Sequence, residues 1–235
     1  METIEKKQNL TMPVAIIIAG ILIAGAVYFK GGTPAQQANN QFAVQNKETK
    51  IKPVGADDHI LGNPNAELVI VEYSDTECPF CKNFHQTMRQ LINEYGKDGK
   101  VAWVYRHMPI EQLHSKAIKE AEATECAASI GGKAKFWDYI NTVFEVTPSN
   151  DGLDLAELPK IAAQLGIDKT AFEKCLSSGQ HNAKIKESIA EASIAGAQGT
   201  PYSVIISKNG ETYPIEGAYP YDALKSIVDG LLKAK

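Results

Sequence analysis

The sequence has no cluster of lysine and arginine residues, and its formal net charge is −4 over 235 residues. Nucleic-acid-binding domains carry a basic patch or stripe, so we exclude nucleic acid as a partner. The sequence also lacks internal repeats, which excludes solenoids and other repeat folds. With its ends set aside, the chain is long enough for one well-packed domain of about 175 to 180 residues.

Charge is absent from residues 10–29, an apolar run about as long as a helix that crosses a bilayer. A buried core helix is a poor alternative, because the run is apolar on every side and a polar segment follows it. Lys6 and Lys7 precede the run, and only Lys30 follows it closely. The positive-inside rule therefore predicts that residues 1–9 are cytoplasmic and that the rest of the chain lies outside the cell membrane.

Cleavage of this run as a signal peptide is an alternative, since Ala24-Gly25-Ala26 resembles a cleavage site. The run is longer than the apolar core of a typical signal peptide, and Glu2 and Glu5 lie before it. Both features favour an uncleaved, single-pass signal-anchor. The polar residues 30–58 then predict a flexible linker between the anchor and a domain at 59–235. An extracytoplasmic domain permits stable disulfide bonds.

The most informative motif is Cys78-Pro79-Phe80-Cys81, which follows the apolar residues 68–73 and precedes a segment with helical periodicity. A Cys-x-x-Cys at a strand-to-helix junction is typical of a redox site. The free N–H groups and the positive end of the helix dipole favour a thiolate at the first cysteine. We therefore predict thiol–disulfide exchange, with Cys78 as the exposed nucleophile and Cys81 as the covered resolving thiol.

Metal binding is the alternative for these two cysteines. A zinc site with four cysteines would need Cys126 and Cys175, whose spacing matches no common zinc pattern. Copper prefers soft thiolates, and a copper-binding module would have only Met88 and His85 to recruit nearby. We keep the copper module as an alternative, and we predict an enzyme that holds no metal and no cofactor.

The pattern around the motif predicts a β-α-β unit with parallel strands. Apolar residues recur at helical spacing in residues 80–95, and residues 101–105 form a second apolar run. Residues 112–196 predict a block of four or five helices, and an Asn-Gly hairpin and a final amphipathic helix follow it. This order predicts a thioredoxin-like α/β fold with an inserted helical subdomain, preceded by the transmembrane helix.

Four motifs occur in the order found in the DsbA-like thiol–disulfide oxidoreductases of bacteria, and residues 58–233 resemble that family. They are His59-Ile60-Leu61-Gly62-Asn63-Pro64-Asn65-Ala66, Val71-Glu72-Tyr73-Ser74-Asp75 with the cysteine pair that follows, Tyr105-Arg106-His107-Met108-Pro109, and Gly199-Thr200-Pro201. The resemblance implies an enzyme that introduces disulfide bonds into reduced, exported proteins. It also implies a partner in the same membrane, a quinone-linked thiol oxidase of the DsbB or vitamin K epoxide reductase type.

Glu72 is the only charged residue in residues 68–73, and a lone acid in a buried strand is costly. An outward-facing position at the end of the strand is one explanation. The resemblance implies another, because the family has a glutamate six residues before the first cysteine. Glu72 is then a proton acceptor for Cys81 with a raised pKa. The resemblance also implies that Thr200 and Pro201 form a cis-proline element whose backbone binds an extended substrate beside Cys78.

Cys126 and Cys175 are either two separate buried thiols or one disulfide. The chain is predicted to be exported, its other cysteines form the redox motif, and some DsbA-like proteins have a second disulfide. We therefore expect a structural bridge between these two residues. Among the histidines, we expect His85 at the surface beside the active site, and structural roles for His107 and His114.

Phe80 departs from the resemblance, since DsbA itself usually has a histidine at this position. Without that hydrogen-bond donor, we expect a less oxidising site than that of the strongest oxidants. A reductase or an isomerase remains the alternative within the enzyme class. Isomerases of this fold have a dimerisation region ahead of the catalytic domain, and residues 31–58 are too polar and too short to form one.

Overall fold

The computed structural model of the protein describes residues 44–234. The predicted cytoplasmic segment 1–9, the predicted anchor 10–29 and the first part of the predicted linker lie outside the described residues. Within the described range, none of the helices has the length and apolar character that a membrane span requires.

A mixed sheet forms the centre of the described domain, with strand order β1-β3-β2-β4-β5. Strands β2 and β3 are parallel, as the sequence predicted, and the other neighbouring strands pair antiparallel. The central strand β2 is buried along most of its length, which explains its continuous apolar run. The strands are β1 (His59–Leu61), β2 (Leu68–Ser74), β3 (Val101–His107), β4 (Tyr202–Ser207) and β5 (Thr212–Glu216).

The helices of the described chain fall into two groups, those that cover the sheet and those of the insertion between β3 and β4. Helices α1 and α6 contribute side chains to the same core as the sheet, and α2, although part of the insertion, adds Phe136, Trp137, Ile140 and Phe144 to it. Helices α2 to α5 occupy the segment for which the sequence predicted a helical block. The helices are α1 (Pro79–Tyr95), α2 (Ala117–Val146), α3 (Leu158–Gln164), α4 (Lys169–Ser178), α5 (Asn182–Ile194) and α6 (Tyr221–Lys233).

Helix α1 places the redox motif at its N-terminus. Cys78 is the N-cap residue, with an extended backbone at φ −78° and ψ 121°, and Pro79 follows in the first turn, where no N–H is needed. The buried face of the helix packs on the sheet through Phe84, Met88 and Leu91. The helix therefore holds both cysteines at the end of β2.

The helical insertion has a core of its own. Helix α2 bends at Gly132, whose backbone is not helical (φ 81°, ψ −178°), a conformation that glycine adopts without steric cost. Tyr139 and Phe172 pack together in this second core. Cys126 on α2 and Cys175 on α4 form a disulfide there, which confirms the predicted bridge.

The domain extends further toward the N-terminus than the sequence suggested. The backbone N–H of Lys47 donates to the carbonyl of Thr212 on β5, and Ile51 and Val54 pack on the sheet. Asp58 is paired with the buried Arg106, whose Nε lies 2.9 Å from its Oδ1. The prediction of a flexible linker as far as residue 58 is therefore wrong for this last part, because these apolar and charged groups have partners on the sheet.

Removal of the Cys126–Cys175 disulfide will destabilise the insertion. The bridge joins residues 49 positions apart, so the double variant Cys126→Ala, Cys175→Ala should lose on the order of 4 kcal/mol of unfolding free energy in the chain-entropy account. Urea unfolding followed by circular dichroism measures the loss. Gln180→Ala is the matched control, since it removes a side-chain contact to the Cys175 sulfur but keeps the bridge. A double variant no less stable than this control would contradict the prediction.

Candidate active site

The two cysteines of the motif lie at different depths. Cys81 is completely buried, as expected. Cys78 is only 5% exposed, so the expectation of an exposed Cys78 is wrong, although Cys78 is the more accessible of the two. The cause is a distant segment of the chain, because the Cys78 sulfur lies 3.4 Å from the carbonyl oxygen of Thr200. The two thiols are not bonded to each other, so the structure describes the dithiol form.

The two sulfurs differ strongly in acidity. The adjacent Cys81 thiol, the backbone N–H groups of Cys81 and Phe80, and the Thr200 side chain lower the pKa of Cys78 to about 6, although its burial acts in the opposite direction. Burial, together with the hydrogen bond and negative charge of Cys78, raises the pKa of Cys81 well above its ordinary value. At neutral pH, Cys78 is therefore the thiolate and Cys81 keeps its proton.

Asp75 connects the loop between β2 and α1 to both cysteines. Its backbone N–H donates to the Cys81 sulfur over 3.5 Å, and its carbonyl oxygen accepts from the Cys78 N–H over 3.2 Å. Its carboxylate accepts from the backbone N–H groups of Glu77 (2.9 Å) and Ile110 (2.8 Å). Sequence reasoning missed this role, although an Asp whose carboxylate accepts from the N–H two residues later is a common turn signal.

Glu72 is fully buried, so the explanation of an outward-facing residue is wrong. Burial raises the pKa of Glu72 to about 7, and the polar groups of Ser74 and Trp103 only partly offset this effect. The Ser74 side chain also lowers the pKa of Cys81, and the charges of Glu72 and Cys81 act on Tyr105. The acid and the buried thiol therefore share Ser74 and Tyr105 as neighbours, and the role of Glu72 as proton acceptor stays a prediction.

Two further buried acids, Glu77 and Glu120, were not predicted from the sequence. The Glu77 carboxylate accepts from the Thr147 hydroxyl (3.1 Å) and from the Gly152 N–H (3.3 Å). It thereby fixes the turn after α2, in which residues 149–151 have a positive φ. Burial, and then the adjacent Glu77, raise the pKa of Glu120 to about 9, so Glu120 is protonated at neutral pH.

The Thr200–Pro201 peptide bond is cis and lies just before β4. Strand β4 pairs with β2, which brings this bond to the end of the sheet where α1 begins. The backbone of Thr200 therefore faces Cys78, in the place where a substrate segment was predicted to bind. The substrate-binding role of Thr200 and Pro201 stays a prediction.

His85 is 1% exposed, so the expectation of a surface histidine is wrong. It lies on the buried face of α1, one turn after Cys81, and its Nε2 lies 2.7 Å from Asn141 Oδ1. Burial lowers the pKa of His85 to about 4, so the ring is neutral. Phe80, in contrast, is 64% exposed and presents its ring to solvent beside the cysteines.

Within the described part of the chain, candidate metal ligands do not gather at the cysteine motif. Among residues 44–234, the one group of three such ligands comprises Cys126, Cys175 and His181, and its two cysteines already form the disulfide. Met88 is part of the core between α1 and the sheet. The geometry gives the copper module no support from Met88 or His85.

A cavity of about 280 Å³ lies elsewhere on the domain, and neither active-site cysteine lines it. Glu125 lies at its wall, where His59 Nε2 and His107 Nε2 lie 2.9 and 3.1 Å from one carboxylate oxygen. Lys184 Nζ lies 2.8 Å from the other oxygen. These groups satisfy one another, which agrees with a structural role for His107.

Comparisons with known proteins agree with this geometry. The family model described as Thioredoxin matches residues 55–230. DsbA2 of Pseudomonas aeruginosa is 30% identical, with a TM-score of 0.63, and the match covers 78% of this chain and 98% of that one. BdbD of Bacillus subtilis, in its oxidised form, has a TM-score of 0.67 at 19% identity over 81% of this chain and 100% of that one, which supports the fold alone.

Curated relatives include much longer proteins. The Na(+)/H(+) antiporter NhaA 3 of Salinispora tropica is 31% identical over 177 residues, which are 75% of this chain. NhaA 1 of Mycolicibacterium vanbaalenii is 34% identical over 53% of this chain. The match spans only 25% and 19% of the two antiporters. It therefore does not assign transport activity to this chain.

Replacement of Glu72 by Gln will stabilise the protein increasingly as the pH rises from 4.5 to about 7, and will not stabilise it at lower pH. The pKa of Glu72 is about 7 in the folded protein against an ordinary value of 4.5, so the folded state keeps a proton that the unfolded chain loses between these pH values. Wild-type stability therefore falls as the pH rises through this window, whereas Gln does not titrate. We expect Glu72→Gln to gain on the order of 3 kcal/mol at about pH 8 and nothing near pH 4.

Urea unfolding at the two pH values tests this expectation. Glu216→Gln is the control, because Glu216 is an exposed carboxylate at the end of β5. An equal gain in unfolding free energy at both pH values, or a gain matched by the control, would show that Glu72 does not cause the pH dependence of stability.

Replacement of Thr200 by Val will raise the pKa of Cys78. The variant keeps the shape of the side chain and removes the hydroxyl that lowers the Cys78 pKa from its ordinary value toward about 6. We expect a rise of about half a unit to one unit, measured as the midpoint of the alkylation rate of reduced protein against pH. Thr142→Val, whose hydroxyl bonds only within α2, is the control. An unchanged midpoint in Thr200→Val refutes the assignment.

Proposed function

This chain belongs to the DsbA-like family of thioredoxin-fold thiol–disulfide oxidoreductases, and from that premise we propose that it forms disulfide bonds in exported proteins through Cys78 and Cys81. The observation that carries the proposal is the difference between the two sulfurs. Cys78 is stabilised as a thiolate at the N-terminus of α1, and Cys81 is buried as a thiol.

The reaction starts from the Cys78–Cys81 disulfide. A substrate thiolate attacks the Cys78 sulfur, a mixed disulfide forms, and Cys81 leaves as a thiolate that takes up a proton. A second substrate thiolate then attacks the substrate sulfur of the mixed disulfide, and Cys78 leaves as the stabilised thiolate. Two electrons pass from the substrate dithiol to the cysteine pair, and the substrate gains one disulfide.

Glu72 donates the proton that Cys81 gains and accepts the proton that Cys81 loses. With a pKa of about 7, its carboxyl group can donate a proton to the Cys81 thiolate during substrate oxidation. When the enzyme is reoxidised, Cys81 must lose this proton before it attacks, and the Glu72 carboxylate accepts it. Thr200 and Pro201 hold the substrate backbone beside Cys78 during both steps.

The acidity of Cys78 supports the oxidising direction. A thiol of low pKa is a good leaving group, and stabilisation of its thiolate stabilises the reduced enzyme, so the disulfide form oxidises its substrates. A reductase or an isomerase would use the same residues with a more reducing cysteine pair. These activities are the alternative.

We further propose that residues 10–29 anchor the enzyme in the cell membrane, with the catalytic domain on the extracytoplasmic side. Oxidation of substrates leaves the cysteine pair reduced, so an electron acceptor is required. A quinone-linked thiol oxidase of the DsbB or vitamin K epoxide reductase type, in the same membrane, would accept these electrons.

Oxidation of reduced, unfolded RNase by the full chain in mild detergent tests the oxidase activity. We expect the oxidised wild type to transfer its disulfide to RNase and restore RNase activity, and Cys78→Ser to transfer nothing. Cys81→Ser should likewise transfer nothing, because without Cys81 the enzyme cannot hold the disulfide that is passed to reduced RNase. No transfer by the wild type, or full transfer by Cys78→Ser, would refute the proposal.

A further inference from the structure

Carboxyl groups surround the active-site cysteines. Glu72, Asp75, Glu77 and Glu120 are each at most 1% exposed and lie on the segments that meet at the N-terminus of α1. Glu120 is protonated at neutral pH, but any of these groups that is ionised opposes the formation of one more negative charge, the Cys78 thiolate. Phe80, between the cysteines, offers no charge and no side-chain donor. A cation from another part of the chain would offset such charges.

His114 is the buried base that the fold brings into this network. It is 6% exposed, and its Nδ1 lies 2.8 Å from the Asp75 carboxylate. The same carboxylate oxygen accepts from the Ile110 N–H, which fixes its position. Asp75 in turn bonds through its backbone to the Cys78 N–H and to the Cys81 sulfur, so this one residue links His114 to both cysteines.

Three elements present charged groups to His114. Asp75 comes from the loop after β2, Asp151 from the turn after α2, and Cys78 from the start of α1. Burial alone would lower the pKa of His114, but the Asp75 hydrogen bond and the negative charges of these three groups raise it. The side chain of Lys116, which also lies at this turn, donates to the carbonyl groups of Asp151 and Leu153. The Asp75 contact and these negative charges thus favour the imidazolium form of His114 in the dithiol enzyme.

We propose that His114 is a positioning residue for thiol–disulfide exchange, which Asp75 holds in its cationic form so that it offsets the buried carboxylates and stabilises the Cys78 thiolate. The inference rests on Cys78 as the reacting sulfur of the proposed function. It does not depend on whether the enzyme oxidises or reduces its substrates.

Reciprocal coupling follows from this arrangement. If the imidazolium stabilises the thiolate, the thiolate stabilises the imidazolium by the same free energy. Oxidation of the pair converts the Cys78 thiolate to a neutral disulfide sulfur and removes that stabilisation. The pKa of His114 must therefore be lower in the disulfide enzyme than in the dithiol enzyme.

The first experiment replaces His114 by Gln in the full chain in mild detergent. The ultraviolet absorbance of the thiolate, followed against pH, gives the pKa of Cys78 in the reduced protein. We expect a rise of about half a unit to one unit, which is a threefold to tenfold loss in the thiolate equilibrium. His85→Gln is the matched control and should leave the Cys78 pKa unchanged, because His85 is neutral and bonded to Asn141. An unchanged pKa in His114→Gln overturns the proposal.

The second experiment uses the wild type, so it does not depend on the folding of a variant. NMR of protein with isotope-labelled histidine, titrated in the dithiol and the disulfide forms, gives the His114 pKa in each. We expect the lower value in the disulfide form and an equally low value in reduced Cys78→Ser. The same His114 pKa in all three samples overturns the proposal. Loss of RNase oxidation alone would instead count against the oxidase activity, since neither titration measures it.

Discussion

The negative charge on the Cys78 sulfur is the constraint on which the rest of this site depends. The residue is 5% exposed, so water cannot supply most of the solvation that a thiolate needs. The protein replaces that solvation with fixed donors, which are the Cys81 thiol, the first N–H groups of α1 and the Thr200 side chain. Each donor depends on a different feature of the fold. The N–H groups depend on the N-cap position of Cys78, the thiol depends on the placement of Cys81 one turn later, and the Thr200 side chain depends on the segment before β4.

The opposite constraint applies to Cys81 and Glu72, because burial favours the neutral form of each side chain. Both lie under the N-terminus of α1, where β2 ends, and neither has exposed surface. The site therefore holds one sulfur that ionises easily and one that resists ionisation. A titratable acid, Glu72, is buried near the end of β2. This asymmetry gives the two cysteines different tasks. It also explains why β2 contains a charged residue in an otherwise apolar run.

Much of the fold was predictable because it rests on local patterns. Strands β2 to β5 and helix α1 follow apolar periodicity and turn residues, and the structure places them within a few residues of the prediction. Strand β1 was missed because three residues carry no periodic signal. His85 was misplaced although Cys81, His85, Met88 and Ile92 follow helical spacing, which would have identified one buried face. The Cys126–Cys175 bridge was predicted correctly.

The unpredicted parts of the site depend on contacts between distant segments. The burial of Cys78 comes from Thr200, and the pairing of Glu77 with Glu120 joins a loop to the first turn of α2. Sequence spacing contains no information about such contacts. The role of Asp75 lies between these cases, because its turn is local and its bond to His114 is not.

The equilibrium reduction potential of the Cys78–Cys81 pair against glutathione tests the central claim most directly, since thiolate stabilisation must appear in it. The pKa of Cys78 is about 6, between the values of about 7 for thioredoxin and about 3.5 for DsbA. We therefore predict a potential between those of the two enzymes, about −230 mV by linear interpolation from about −270 mV for thioredoxin to about −120 mV for DsbA. A value near the potential of thioredoxin, about −270 mV, would contradict the account, because the structure would then stabilise the disulfide rather than the thiolate.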